Sequence, residues 1–114
     1  MRETSGSITH DVSVKRFGVP TRYTEYAVTV SDTPTEIAEL NPRRLACTII
    51  NHSTDTVVVG FRPDYSVDEG ILLAPNGGTV IFTVDEDGEL VSSQIFARGV
   101  LAGGNVYVIQ VIGV

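Results

Sequence analysis

The stretch RLACTIINHSTDTVVVGF, residues 44–61, decides the fold class. Within it, Leu45, Cys47 and Ile49 alternate with residues on the opposite side of an extended chain. Successive side chains of a strand point to opposite faces, so a period of two specifies a strand with one face in a core. Residues 51–56, NHSTDT, are polar and turn-forming, and residues 56–61, TVVVGF, read as a return strand. Two such runs joined by a short polar loop predict a β-hairpin.

The same grammar continues on both sides. Strands are predicted over 24–31 (TEYAVTVS), 71–73, 79–84 (TVIFTV) and 105–112, and over 89–97 as one bent strand or two pieces. Residues 36–40, EIAEL, read as a strand or one helical turn. Turn clusters separate these runs: DTPT at 32–35, NPR at 41–43, APNGG at 74–78 and DEDG at 85–88. Asn-Gly and Gly-Gly supply positive φ at little steric cost. Residues 62–70, RPDYSVDEG, make a nine-residue polar loop, long beside the roughly 2–5 residues usual in a hairpin. Seven or eight short strands with turns at intervals of roughly ten residues are the signature of an antiparallel sandwich or small barrel. We expect the sandwich: all-β, antiparallel and jelly-roll-like, over residues 23–114, preceded by an extended N-terminal arm over residues 1–22.

Composition agrees. The chain holds 17 Val, 9 Ile and 12 Thr among 114 residues, against 6 Leu and 6 Ala. β-branched residues lose rotamer freedom in helices and fit a pleated surface, which excludes a helical bundle, a coiled coil and a Rossmann-type enzyme. The length fits one domain. No apolar run approaches the roughly 20 residues of a membrane helix, and residues 1–10 lack the apolar core of a signal peptide. One cysteine makes no internal disulfide.

Charge is uneven. Residues 1–22 carry Arg2, Lys15, Arg16 and Arg22 against Glu3 and Asp11, a balance of +2; the remainder carries four Arg against twelve acids, a balance of −8, and the two sum to the net −6. Nucleic-acid binders show a basic footprint, and this body is acidic. Within the arm, Ile8, His10, Val12 and Val14 fall on one side of an extended chain and Thr9, Asp11, Ser13 and Lys15 on the other. Pro20 biases Val19 toward extended conformations. The arm is therefore expected to order by docking on a partner, with Ile8, Val12, Val14 and Phe17 as apolar anchors and Lys15 and Arg16 as contacts to an acidic neighbour. In the last strand, Tyr107, Ile109 and Val111 share one face, Val106, Val108 and Ile112 the other. Apolar character on both faces predicts a central strand or an outer face covered by a neighbouring subunit. With no helix to cover that face, an oligomer is expected.

Residues for catalysis are sparse. His10 lies in the arm and His52 in a turn, neither beside an activated-nucleophile motif. Cys47 sits mid-strand among apolar neighbours, as a small core filler does. Two separated His and one Cys do not make a zinc set. Asp85, Glu86, Asp87 and Glu89 around Gly88 are only a fragment of a calcium loop. A second acidic loop holds Asp64, Asp68 and Glu69, and a cation site would need the two loops to meet. Asn76-Gly77-Gly78 and Gly103-Gly104 lack the Lys-Ser or Lys-Thr of a phosphate loop. No catalytic residue, metal or cofactor is assigned, and the chain is not expected to be an enzyme.

From Asn41 onward the features fall in a familiar order. Asn41-Pro42-x-Arg44 leads into a strand ending Ile50-Asn51-x-Ser53; Val57-Val58-Val59-Gly60-Phe61 and a polar loop follow. Then come Gly70-Ile71-x-Leu73, a Pro75/Gly77-Gly78 turn, an acidic turn, Ile95-Phe96-Ala97 and a closing Gly-Gly-Asn-Val strand. Over residues 41–112 this resembles small β-sandwich virion proteins of tailed bacterial and archaeal viruses, some of which decorate or cement the capsid. The resemblance implies a structural virion protein made in the host cytoplasm and carried on the capsid surface. Its partners would be the major capsid protein or another virion protein, and copies of itself in a homo-oligomer such as a trimer, with no nucleic acid and no membrane. It transfers no catalytic residues. The competing expectation is a tail- or fibre-associated module for a receptor or carbohydrate. Sugar surfaces usually offer an aromatic ring, for which this sequence presents Tyr65 in the long loop and no Trp.

Overall fold

The structure, a computed structural model, describes residues 20–113. Eight strands follow one another: β1 (Thr21–Val30), β2 (Thr35–Ala38), β3 (Arg44–Asn51), β4 (Val57–Gly60), β5 (Ile71–Leu73), β6 (Thr79–Thr83), β7 (Ile95–Gly99) and β8 (Gly104–Gly113). They form two four-stranded sheets, β1-β8-β3-β6 and β2-β7-β4-β5, antiparallel at every pairing. This is an antiparallel β-sandwich with the strand order of an eight-stranded jelly roll. β1 takes in Thr21 and Arg22, which the sequence reading placed at the end of the arm.

The stretch that announced the fold is not a hairpin. β3 pairs with β6 and β8, whereas β4 pairs with β5 and β7, so residues 52–56 arch from one sheet to the other. Cys47 and Ile49 of β3 and Val57 and Val59 of β4 belong to one buried cluster between the sheets, with Phe82, Ile95, Val106 and Val108. The arch is held by Asn51. Its side-chain amide donates to the carbonyls of Asp55 (2.8 Å), Leu73 and Ala74 (both 3.1 Å), and its oxygen accepts from the Ser53 amide at 2.9 Å. Beyond it, the expected turn at Asn76-Gly77 places both residues at positive φ, 58° and 120°.

Two further expectations change. Leu45 is only half-buried and Arg44 takes the inward position, because β3 carries an irregularity against β8 between Arg44 and Ala46 that shifts the alternation by one residue. Residues 84–92 are not turn and strand. A helical turn, Val84–Asp87, and a 3₁₀ segment, Gly88–Ser92, precede β7. Thr83 Oγ1 accepts from the Glu86 amide, and Asp87 Oδ2 accepts from the Thr83 amide at 2.8 Å. These bonds and the three acidic residues of the first turn favour helix over strand.

Candidate functional site

The outer face of the β2-β7-β4-β5 sheet is covered in part by the chain itself, around Val58 and Phe96, while Leu72, which pairs with Val58, stays 63% exposed on the same face. Residues 61–70 fold across it, and Tyr65, 4% exposed, packs with Val58 and Phe96. The Tyr65 hydroxyl donates to the Val58 carbonyl at 2.7 Å. Gly60 admits the ring, since a Cβ there would stand 2.7 Å from it. Burial pushes the Tyr65 phenol up to about 12. Arg62 closes the loop on Glu69 at 2.9 Å, and the Ser66 amide donates to the Glu69 carboxylate at 3.0 Å. The Ser66 amide, and after it Arg62, hold that carboxyl below its ordinary range. Tyr65, the ring the long loop offered to the competing carbohydrate module, is thus closed off by its packing on Val58 and Phe96.

The outer face of the β1-β8-β3-β6 sheet has no such cover among the described residues. The register sets side chains across four strands in three rows: Tyr23, Val111, Ala46 and Thr83; Glu25, Ile109, Thr48 and Ile81; Ala27, Tyr107, Ile50 and Thr79. Tyr23 is 66% exposed and Ile81 60%. Of these twelve positions Glu25 alone carries charge. Its carboxylate accepts a hydrogen bond from the Tyr107 hydroxyl, which raises the phenol's pKa. At four strands by three rows, with strands about 4.8 Å apart and rows about 6.7 Å apart, the patch covers roughly 400 Å². With Thr48, Thr79 and Thr83 among the twelve, the patch is mainly apolar, and its size is that of the largest patch on a typical monomer, which is often a functional one. The sequence reading identified its central strand: β8 lies inside the sheet and turns Tyr107, Ile109 and Val111 outward.

Between the edge strands β1 and β2 the sandwich is open. A groove of about 460 Å³ runs there, lined in part by Tyr26, Val28, Ile37 and Leu40, with Glu36 and Glu39 at its rim. Its floor is a polar chain. Tyr26 donates to the Ile37 carbonyl at 2.6 Å and accepts from Gln110 at 2.7 Å. Arg44 Nε donates to Gln110 at 2.8 Å. The rest of the Arg44 guanidinium donates to the carbonyls of Val91 (3.1 Å), Ser93 (2.9 Å) and Glu39. Arg44 is 2% exposed and Gln110 6%. Alternation along β3 pointed elsewhere, and the irregularity that turns Arg44 inward has no sequence signal of its own.

The other predicted residues separate. Ile8, Val12, Val14, Lys15, Arg16 and Phe17, like His10, lie outside the described residues. Cys47 is fully buried, and burial pushes its thiol up to about 11. His52 is exposed and meets Tyr107 edge-on, with ring centres 5.9 Å apart. Among the described residues no group of three or more His, Cys, Asp or Glu comes together to hold a metal ion, so the 64–69 and 85–89 loops do not meet as one. Asp55, unassigned by sequence, ties down the loop before β8. Its Oδ2 accepts from the amides of Gly103 (2.8 Å), Leu101 (2.9 Å) and Ala102 (3.0 Å), and these bonds, Gly103's foremost, lower its pKa.

No family model matches this sequence, and no curated protein matches it. Among solved structures, the chain is similar to a Bacillus endospore appendage protein, of a family of disulfide-linked pili, with TM-score 0.53 and 17% identity over 84% of this chain and 88% of that one. BH2720 of Bacillus halodurans aligns at TM-score 0.45 and 12% identity, over 82% of this chain and 64% of that one. The SPBc2 prophage-derived protein YomS aligns at TM-score 0.39 and 13% identity, over 81% and 93%. At such identities the likeness concerns the fold alone.

Proposed function

We propose that this chain is a structural, non-enzymatic component of a virus particle. In this reading it is a capsid decoration or cement protein that self-associates, binds the major capsid protein or another virion protein, and stabilises the lattice at the capsid surface. One observation carries the assembly part: the apolar outer face of the β1-β8-β3-β6 sheet, on which twelve positions include a single charge. Burying such a face stabilises by roughly 25 cal/mol per Å² removed from water. The virion part rests on the order of motifs over residues 41–112. The contacts are non-covalent, since the only cysteine is fully buried. Quantifying the protein in purified particles tests this. Hundreds of copies spread over the capsid are expected. A few copies confined to the tail would favour the receptor module, and absence from particles would overturn the virion assignment.

A further inference from the structure

We propose that the groove between β1 and β2 receives residues 8–17 of a second copy of this chain, as an added strand on the β1 edge. This rests on the reading of the protein as a self-assembling structural unit and names a second contact between its copies, beside the outer sheet face.

The groove has the features of a strand acceptor. β1 ends its sheet, and its pairing with β8 runs through ten residues without a shift. No Pro, Lys or bulge interrupts β1, and the charge it carries is confined to Arg22 and Glu25. Over residues 24–28 the outer side of its backbone has no strand beside it among the described residues. An added strand gains main-chain hydrogen bonds there and seats alternate side chains in the open side of the sandwich. Tyr26, Val28 and Ile37 offer that seat an apolar wall.

The occupant follows from the sequence outside the described residues. Nineteen residues precede Pro20, and residues 8–17 match the ten residues of β1 in length. Ile8, Val12 and Val14 fall on one side, with Arg16 in line with them and Lys15 on the other side. Carboxylates flank the β1 edge on both sides: Glu39 and Glu36, which accepts from Gln94, at the groove rim, and Glu25, which accepts from Tyr107, on the outer face. The one cation in the groove lining, Arg44, already donates to Gln110 and three carbonyls. The source is a second copy because of the junction. Folding back on its own β1 would need a reversal within Gly18-Val19-Pro20. Gly18 could supply a left-handed position, but a two-residue Gly18-Val19 turn would need Val19 in the α region that a following Pro disfavours and a return-strand amide that Pro20 lacks.

The test uses the full chain. Val12→Asp with Val14→Asp should weaken self-association by at least about tenfold in sedimentation equilibrium, with the circular dichroism spectrum of the folded chain unchanged. Glu36→Lys with Glu39→Lys should weaken it in the same way, and adding Lys15→Glu with Arg16→Glu should restore it. Mixing the arm variant with the rim variant should give a heterodimer, because each supplies what the other lacks. Association indifferent to the arm substitutions overturns this inference. So does charge reversal without rescue, or a mixture that forms no heterodimer. If association instead yields only to substitutions on the outer sheet face, the strand-exchange inference fails while the assembly reading stands.

Discussion

The two sheets of this sandwich are built from the same kinds of residues, yet their outer faces have opposite fates. Behind β4, Val58 points outward and would meet water, but residues 61–70 bring Tyr65 down on it and Gly60 leaves room for the ring. Behind β8, Tyr107, Ile109 and Val111 point outward in the same way, and no described segment crosses them. Residues 61–70 cover one face around Val58 and Phe96, whereas no described residue covers Tyr107, Ile109 and Val111 on the other. The loop shows what a cover requires: an aromatic plug, a glycine beneath it and an ion pair to close it.

Stripping the covered face should produce the largest effect. Tyr65→Ala removes the plug and is expected to cost about 3–5 kcal/mol in denaturant unfolding. In the core between the faces, Ile49→Ala is expected to cost about 2–4 kcal/mol. The cover should also be sensitive to alkali. Tyr65 titrates near 10 unfolded and about 12 folded. Its contribution is thus complete below pH 10 and lost as the pH rises toward 12, a loss of roughly 2–3 kcal/mol. Tyr65→Phe should abolish that alkaline component of the stability profile. Gly60→Ala pushes a methyl against the ring and should cost about 1–3 kcal/mol. The bare face should respond least: Ile81→Thr is expected to change monomer stability by less than about 0.5 kcal/mol. Comparable costs for Ile81→Thr and Tyr65→Ala would erase the distinction between the faces.

The strands were legible in the sequence because period two and turn residues are local signals. Residues 44–51 and 71–73 form strands at the expected bounds. Which sheet a strand joins is not local. β3 and β4 read as a hairpin because a polar loop joins them, but Val57, Val58 and Val59 are buried on both faces, and such a strand needs neighbours on its own sheet and layers on both sides. The inward turn of Arg44 depends on a one-residue irregularity and on carbonyls contributed by residues 39, 91 and 93. Tyr65 looked like a surface ring because its neighbours in sequence are polar, whereas its neighbours in space are Val58 and Phe96. The helical turn at residues 84–87 was hidden by length, since four residues show no helical period. The open sheet face was legible in part, from the two-sided apolar pattern of residues 106–112.

The central claim is that the outer face of the β1-β8-β3-β6 sheet is an assembly surface. Sedimentation equilibrium of the native chain beside an Ile81→Lys, Ile109→Lys variant tests it most directly. The native protein should associate. The variant should associate at least about tenfold more weakly while still folding to the all-β chain, since Ile81 is exposed and Ile109 lies half-buried on the outer face. A native protein that stays monomeric at every soluble concentration, or a variant that associates as well as the native chain, would contradict it.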